Sequence, residues 1–308
     1  NTLGDGVEKM KYRFQWNFPI VFSKHNPKKL YTFSNHVHVT ENEGQSWELI
    51  SPDLTRNDPS KLQSSGGPIT KDNTGVEYYA TIFAVDESPL KEGLIWVGSD
   101  DGLIHITKDG GESWENITPR GMPEWMMINS IDASPFDEGT AYVAGTRYKL
   151  GDFTPYLYRT DNYGKSWKLI TDGIESEHFT RVVRSDKTKK GLLYSGTETG
   201  MYISFNDGKS WEKFQKNLPI VPITDLTIKD NSLIVATQGR SLWIIDDLTV
   251  IHQLDKNDSE LKLYNPKDAY SVRGAGGNKS LTAGTNLPNG VILHYYIPEY
   301  DKEKDEIM

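Results

Sequence analysis

Short apolar runs recur along the chain at a spacing too tight for helices. Phe18–Phe22, Thr81–Val85, Asn129–Ala133, Arg181–Arg184 and Thr224–Ile228 each precede a pair of further runs. Such pairs are Leu94–Val97 with Leu103–Ile106, Leu192–Ser195 with Met201–Ser204, and Leu233–Ala236 with Ser241–Ile244. Runs of this length, bounded by Gly, Asp and Thr, predict short strands joined by tight turns. One more run after each pair, such as Trp47–Ile50, makes four strands per unit and five units. No segment carries the 3.6-residue apolar period of a long amphipathic helix. The predicted class is all-β.

The turn that closes each unit repeats without gaps. Thr40–Trp47, Thr107–Trp114, Thr160–Trp167 and Ser204–Trp211 all read [ST]-x-[DN]-x-G-x-S-W, with a degenerate fifth copy at Asp246-Asp247. Successive copies start 67, 53 and 44 residues apart, periods of a four-stranded propeller blade or just above. An Asp or Asn two residues before a Gly makes a tight turn, because its side chain accepts backbone N–H groups and Gly supplies positive φ. Asn42, Asp109, Asn162 and Asn206 are therefore structural, with Trp47, Trp114, Trp167 and Trp211 expected to fold back over the turn. Three of the four copies carry Asn, which no acid/base role tolerates.

The four turns resemble the Asp-box, or BNR repeat, of sialidases, xyloglucan-cleaving glycosidases and the sortilin (Vps10) family. Gly66–Gly75 with Glu77–Tyr79, Gly139–Val143 and Gly239–Asp247 are similar to bacterial sortilin-like BNR proteins, often labelled glycosyl hydrolases. That resemblance implies an exported protein, periplasmic, outer-membrane-associated or secreted. It also implies a propeller of six or more blades. The five units over residues 1–254 are thus expected to belong to a larger ring, completed by blades of the same parent chain or of another chain. Residues 255–308 are expected to form a polar linker, a Gly-rich loop (Gly274–Ser280) and the first strand of a second β domain, Val291–Ile297.

Composition narrows the partners. A net charge of −9 lacks the cationic field that a nucleic-acid backbone requires. No apolar run is long enough to span a membrane, and the absence of cysteine excludes disulfides and thiolate chemistry. No cofactor or metal is called for; His36 and His38 share one strand face but lack a third ligand.

Candidate chemistry lies in two loop sets that a propeller gathers on its channel face. Loops between second and third strands hold Asp100, Asp101, Arg147, Tyr148, Glu198 and Arg240. Segments leading into the first strands hold Arg13, Trp16, Asn17, Tyr79 and His178. The long connection Gly145–Pro155 is placed to cover the channel mouth. Aromatics beside Arg, Asn and carboxylates suit sugar rings, whose apolar faces stack while their hydroxyls need donors and acceptors; they also suit an extended peptide. The expected role is recognition of such a ligand. The alternatives are a glycoside hydrolase using Asp100 or Asp101 with Glu198, sialidase-like or xyloglucanase-like, and a structural component of an envelope assembly.

Overall fold

The computed structural model describes residues 6–73, 75–255, 259–269 and 290–298. The Gly274–Ser280 loop and the tail from Asp301 lie outside them. Two compact units divide the chain. One runs through Ile228 and resumes over Ile234–Trp243; the other comprises Lys229–Leu233 and the chain from Ile244. This division falls earlier than the expected one after Leu254, because the Asn231 side-chain amide donates to Asp247 and to the Thr249 hydroxyl, both at 2.9 Å.

The first unit contains four antiparallel four-stranded sheets in chain order. They are β1–β4 (Ile20–Phe22, Leu30–Phe33, Val37–Thr40, Glu48–Leu49), β5–β8 (Ile82–Glu87, Ile95–Ser99, Ile104–Thr107, Glu115–Asn116), β9–β12 (Met127–Ala133, Ala141–Arg147, Asp152–Thr160, Lys168–Leu169) and β13–β16 (Thr180–Ser185, Leu193–Thr197, Gly200–Ser204, Glu212–Lys213). First strands of the second, third and fourth sheets lie beside one another, as in a propeller. Acids tie them: Asp86 accepts from the Ala133 N–H at 2.9 Å and Asp132 from the Ser185 N–H at 2.8 Å. The fifth unit departs from expectation. Its sheet, β17–β19 (Ile223–Lys229, Ser232–Thr237, Leu242–Ile245), has three strands; where a fourth was expected the chain turns, with Asp247 accepting from the Thr249 N–H, into the short helix Thr249–Gln253.

Blades stack through facing rows. In each sheet the residue two before the Thr or Ser that opens the closing turn sits in a cross-strand row: Ile20–Thr32–His38–Leu49, Val85–Val97–His105–Asn116, Ile131–Val143–Tyr158–Leu169 and Val183–Ser195–Tyr202–Lys213. The second row packs toward Tyr31 and Val37 of the first blade. The third packs on Ile104, Ile106 and Ile117 of the second, and the fourth on Tyr142, Leu157 and Ile170 of the third. Each row is thus the leading face that meets the preceding blade.

The repeated turn does two jobs, of which the sequence revealed one. Within a blade, Thr160 Oγ1 donates to Asn162 Oδ1 and accepts from the Gly164 N–H, while Asn162 Oδ1 accepts from the Ser166 N–H at 2.9 Å. Where Asp replaces Asn, the Ser113 hydroxyl donates to the carboxylate, which that bond, the Ser113 N–H and the Thr107 hydroxyl hold down at about 2. Asn reverses the polarity, donating its Nδ2–H to the serine hydroxyl, so either residue closes the loop. Between blades, the tryptophan reaches backward rather than only covering its own turn. Trp114, Trp167 and Trp211 each donate Nε1–H at 2.7 Å to the carbonyl of Ile50, Ile117 and Ile170, respectively. Those isoleucines follow the last strand of the preceding blade. The turn glycine answers to the same neighbour: a Cβ on Gly164 would lie 2.6 Å from Ile117, and one on Gly208 2.5 Å from Ile170.

In the second unit, Tyr295–Tyr296 is the strand part of the expected Val291–Ile297 run. It pairs with Lys262–Leu263.

Candidate functional site

Segments leading into first strands and turns after second strands converge on one side of the first three blades, where they line a cleft of about 620 Å³. Trp16 comes from the segment before β1, Tyr78 and Tyr79 from the connection into β5, Trp125 from the connection into β9, and Thr146–Leu150 from the β10–β11 hairpin. Asp100, Lys61, Glu77 and Met127 complete the wall. The connection between the first two blades is longer than those into the third and fourth, and it packs Leu62, Tyr78 and Ala80 against Val7 and Met10. The Gly145–Pro155 stretch is an ordered hairpin rather than a loose flap. Arg147 pairs with Asp152 across it, held by a 2.7 Å ion pair, and Tyr148–Leu150 forms its tip.

The aromatic groups are held in place. Trp125 sits at φ 61°, a left-handed conformation that costs a non-glycine residue about 1 kcal/mol. The Arg56 guanidinium lies over its ring at 4.9 Å and the Lys61 ammonium at 5.5 Å. Asp101 fixes that arginine, accepting from the Arg56 N–H at 2.8 Å through its carboxylate and from Arg56 Nε at 2.8 Å through its carbonyl. Tyr148 stacks on Phe179 at 5.1 Å with an interplanar angle of 12°. Trp16 is 65% exposed and free to meet a ligand face.

The candidate residues separate accordingly. Trp16, Tyr79, Asp100, Arg147 and Tyr148 meet in the cleft, whereas Arg13, Asn17, His178, Arg240, Asp101 and Glu198 do not line it. Arg13 is buried, donating to Ala80 O, Asn57, Asp53 and Thr55, and is thus committed to holding the loops together. His178 shares a 2.8 Å hydrogen bond with the Tyr202 hydroxyl and pairs with Glu175. Glu198 is bound by Arg181 at 2.6 Å, and that guanidinium lies over the Tyr148 and Phe179 rings. Asn17 and Arg240 are exposed. His36 and His38 are engaged separately, with Ser51 O and the Ser34 hydroxyl. Lys61 and Glu77 were not singled out from sequence as cleft residues; the 67-residue first period, longer than the others, was the available signal.

The proton affinity of Asp100 is clearly moved. Burial raises it to about 7, with Asp101 adding to the rise and hydrogen bonds from the Thr81 N–H (2.8 Å) and hydroxyl (2.9 Å) opposing it. The folded chain therefore keeps a proton that the unfolded chain releases near 3.8. The stability tied to that proton is complete below the unfolded value and lost as pH rises through 7. Asp100→Asn keeps the bond from the Thr81 N–H and reverses the other, its Nδ2–H donating to the Thr81 hydroxyl, without the charge. We expect it to be nearly neutral at about pH 4 and to stabilise by on the order of 3 kcal/mol above about pH 8, measured by urea unfolding across that range. An effect of equal size at both ends would show that the buried charge is not its cause.

Fold and site together define a β-propeller with an aromatic-walled cleft on its connection face. No family model matches the chain. Over 108 residues, 35% of this chain, it is 28% identical to an oligoxyloglucan-reducing end-specific xyloglucanase of Emericella nidulans. Over 227 residues, 72% of the chain, it is 24% identical to vacuolar protein sorting/targeting protein 10 of the same organism. It spans only 13% and 12% of the length of these two relatives. Among solved structures, the GH74 xyloglucanase of Xanthomonas campestris aligns with a TM-score of 0.54 at 15% identity, covering 74% of this chain and 36% of that one. An ancestral GH74 enzyme aligns with a TM-score of 0.53 at 19% identity, covering 77% and 29%. The chain is thus a propeller similar over parts of its length to these larger proteins.

Proposed function

We propose that the cleft is a recognition site for a glycan chain, carried on a rigid Asp-box propeller of an exported bacterial protein. The observation that carries this reading is the convergence of Trp16, Tyr79, Trp125 and Tyr148 with Lys61, Glu77 and Arg147 around one cleft of about 620 Å³. Rings of this kind stack on sugar faces, and the charged groups between them suit hydroxyls. Xyloglucan oligosaccharides are the first ligands to try, because the relatives named above include enzymes that act on that polymer. An extended peptide is the competing ligand.

The test is calorimetric titration of the chain with xyloglucan oligosaccharides, sialyllactose and a pool of unstructured peptides, with product analysis of each mixture. The expected result is saturable glycan binding, weakened at least tenfold by Trp16→Ala or Trp125→Ala, with no products released. Binding of peptides alone would replace the glycan reading. A hydrolase is favoured by one observation, the cleft carboxyl of Asp100 held near 7, a value suited to a general acid. Release of new reducing ends, abolished in Asp100→Asn, would establish it in place of recognition.

A further inference from the structure

Three seams between blades obey one rule, and the first blade presents the same tryptophan and turn glycine with no isoleucine against them among the described residues. At each observed seam the leading blade offers a tryptophan Nε1–H, a turn glycine and an apolar row. The preceding blade offers an isoleucine, three residues after its own turn tryptophan, whose carbonyl accepts the indole proton. Trp47 and Gly44 are the equivalent pair in the first blade. Trp47 has no hydrogen-bond partner among the described residues and is 44% exposed, against 3% for Trp211. A Cβ on Gly44 would meet only Trp47, at 3.7 Å, whereas Gly111, Gly164 and Gly208 are each crowded by the preceding isoleucine.

The leading row agrees. Ile131 and Val183 are buried against the blade before them, but Ile20, in the equivalent position, is 62% exposed, as is Phe22 beside it. Tyr12 and Phe14 cover the middle of this face, with ring centroids 4.8 and 5.7 Å from His38. The inner end at Ile20 and Phe22 and the outer end at Trp47 and Leu49 remain open.

We infer that this face docks a further blade of the same repeat, carried upstream on the same polypeptide, whose last strand ends in an isoleucine that accepts from Trp47 and packs over Gly44. A second copy of this chain does not supply that half of the seam, because its fifth sheet stops at three strands and continues into the helix Thr249–Gln253. The 29–36% share of the solved propellers that this chain covers leaves room for such a blade.

The test compares hydroxyl-radical footprints, resolved by mass spectrometry, of the 308-residue chain and of the same chain preceded by a copy of its own residues 122–172. In the unextended chain Trp47 should oxidise about tenfold faster than Trp211, independent of protein concentration. The extension should slow Trp47 to the Trp211 rate, and Ile170→Asp in the added copy should restore it. Three results would overturn the inference. Trp47 is already as protected as Trp211 in the dilute unextended chain; it becomes protected as that chain is concentrated, which makes a second copy the occupant; or it stays reactive beneath an extension whose own tryptophan is protected.

Discussion

Trp211→Ala should destabilise the first unit by roughly 4–5 kcal/mol, while the same change at Trp47 should cost under about 0.5 kcal/mol. The sequence context of the two tryptophans is nearly identical, so the contrast isolates the neighbour. Trp211 lies in the apolar cluster with Ile170, Ile174, Val183 and Tyr202 and donates to the Ile170 carbonyl. Its removal leaves a cavity and an unpaired buried carbonyl together. Trp211→Phe separates the two terms, since it fills most of the volume without the N–H, and should cost about 1–2 kcal/mol. Urea unfolding of the three variants measures this. A Trp47→Ala loss as large as that of Trp211→Ala would mean that the turn itself, and not the seam, is what the tryptophan stabilises.

Arg13→Ala should be nearly as damaging, at about 3–5 kcal/mol, and should act through the loops rather than through ligand contact. The Arg13 guanidinium donates to Asp53 at 2.9 Å, to Thr55 at 3.0 Å and to the Ala80 carbonyl at 2.9 Å, and the Arg13 N–H donates to Asn35. Burial pushes the Asp53 carboxyl up, but hydrogen bonds from Thr55 and Asn35 and the Arg13 charge together hold it below its ordinary value. Removing the arginine leaves that half-buried carboxylate without its cation. Arg13→Ala combined with Asp53→Asn should therefore recover part of the loss, and a strictly additive double variant would contradict the coupling. Lysine keeps the charge but not the fork of donors, so Arg13→Lys should fall between wild type and alanine.

Strand positions and turn chemistry were legible because both are local. Alternating runs and the Asp/Asn–Gly spacing act within a few residues, and four copies made the pattern unmistakable. What escaped depends on distant partners. The same residue types that suit a binding face, an arginine and an aspartate, were drawn inward as Arg13 and Asp101, because nearby side chains, a hydroxyl and a carbonyl satisfied them there. Lys61 joins the cleft only through an insertion whose path no periodicity describes. The turn glycine was assigned to positive φ alone, although the isoleucine of the preceding blade constrains Gly164 and Gly208 as strongly. In the fifth unit the chain turns into a short helix where a fourth strand was expected, and the Thr249 N–H to Asp247 bond within that turn has no counterpart in the repeated turn of the other units.

The backward reach of the turn tryptophan has a consequence for the order in which the protein is made. Each indole seeks a carbonyl that lies earlier in the chain: Ile50 for Trp114, Ile117 for Trp167 and Ile170 for Trp211. A blade emerging from the ribosome thus finds its acceptor on a blade already synthesised, and none has to wait for residues still to come. Assembly can proceed vectorially, with every finished blade serving as the template on which the next one settles.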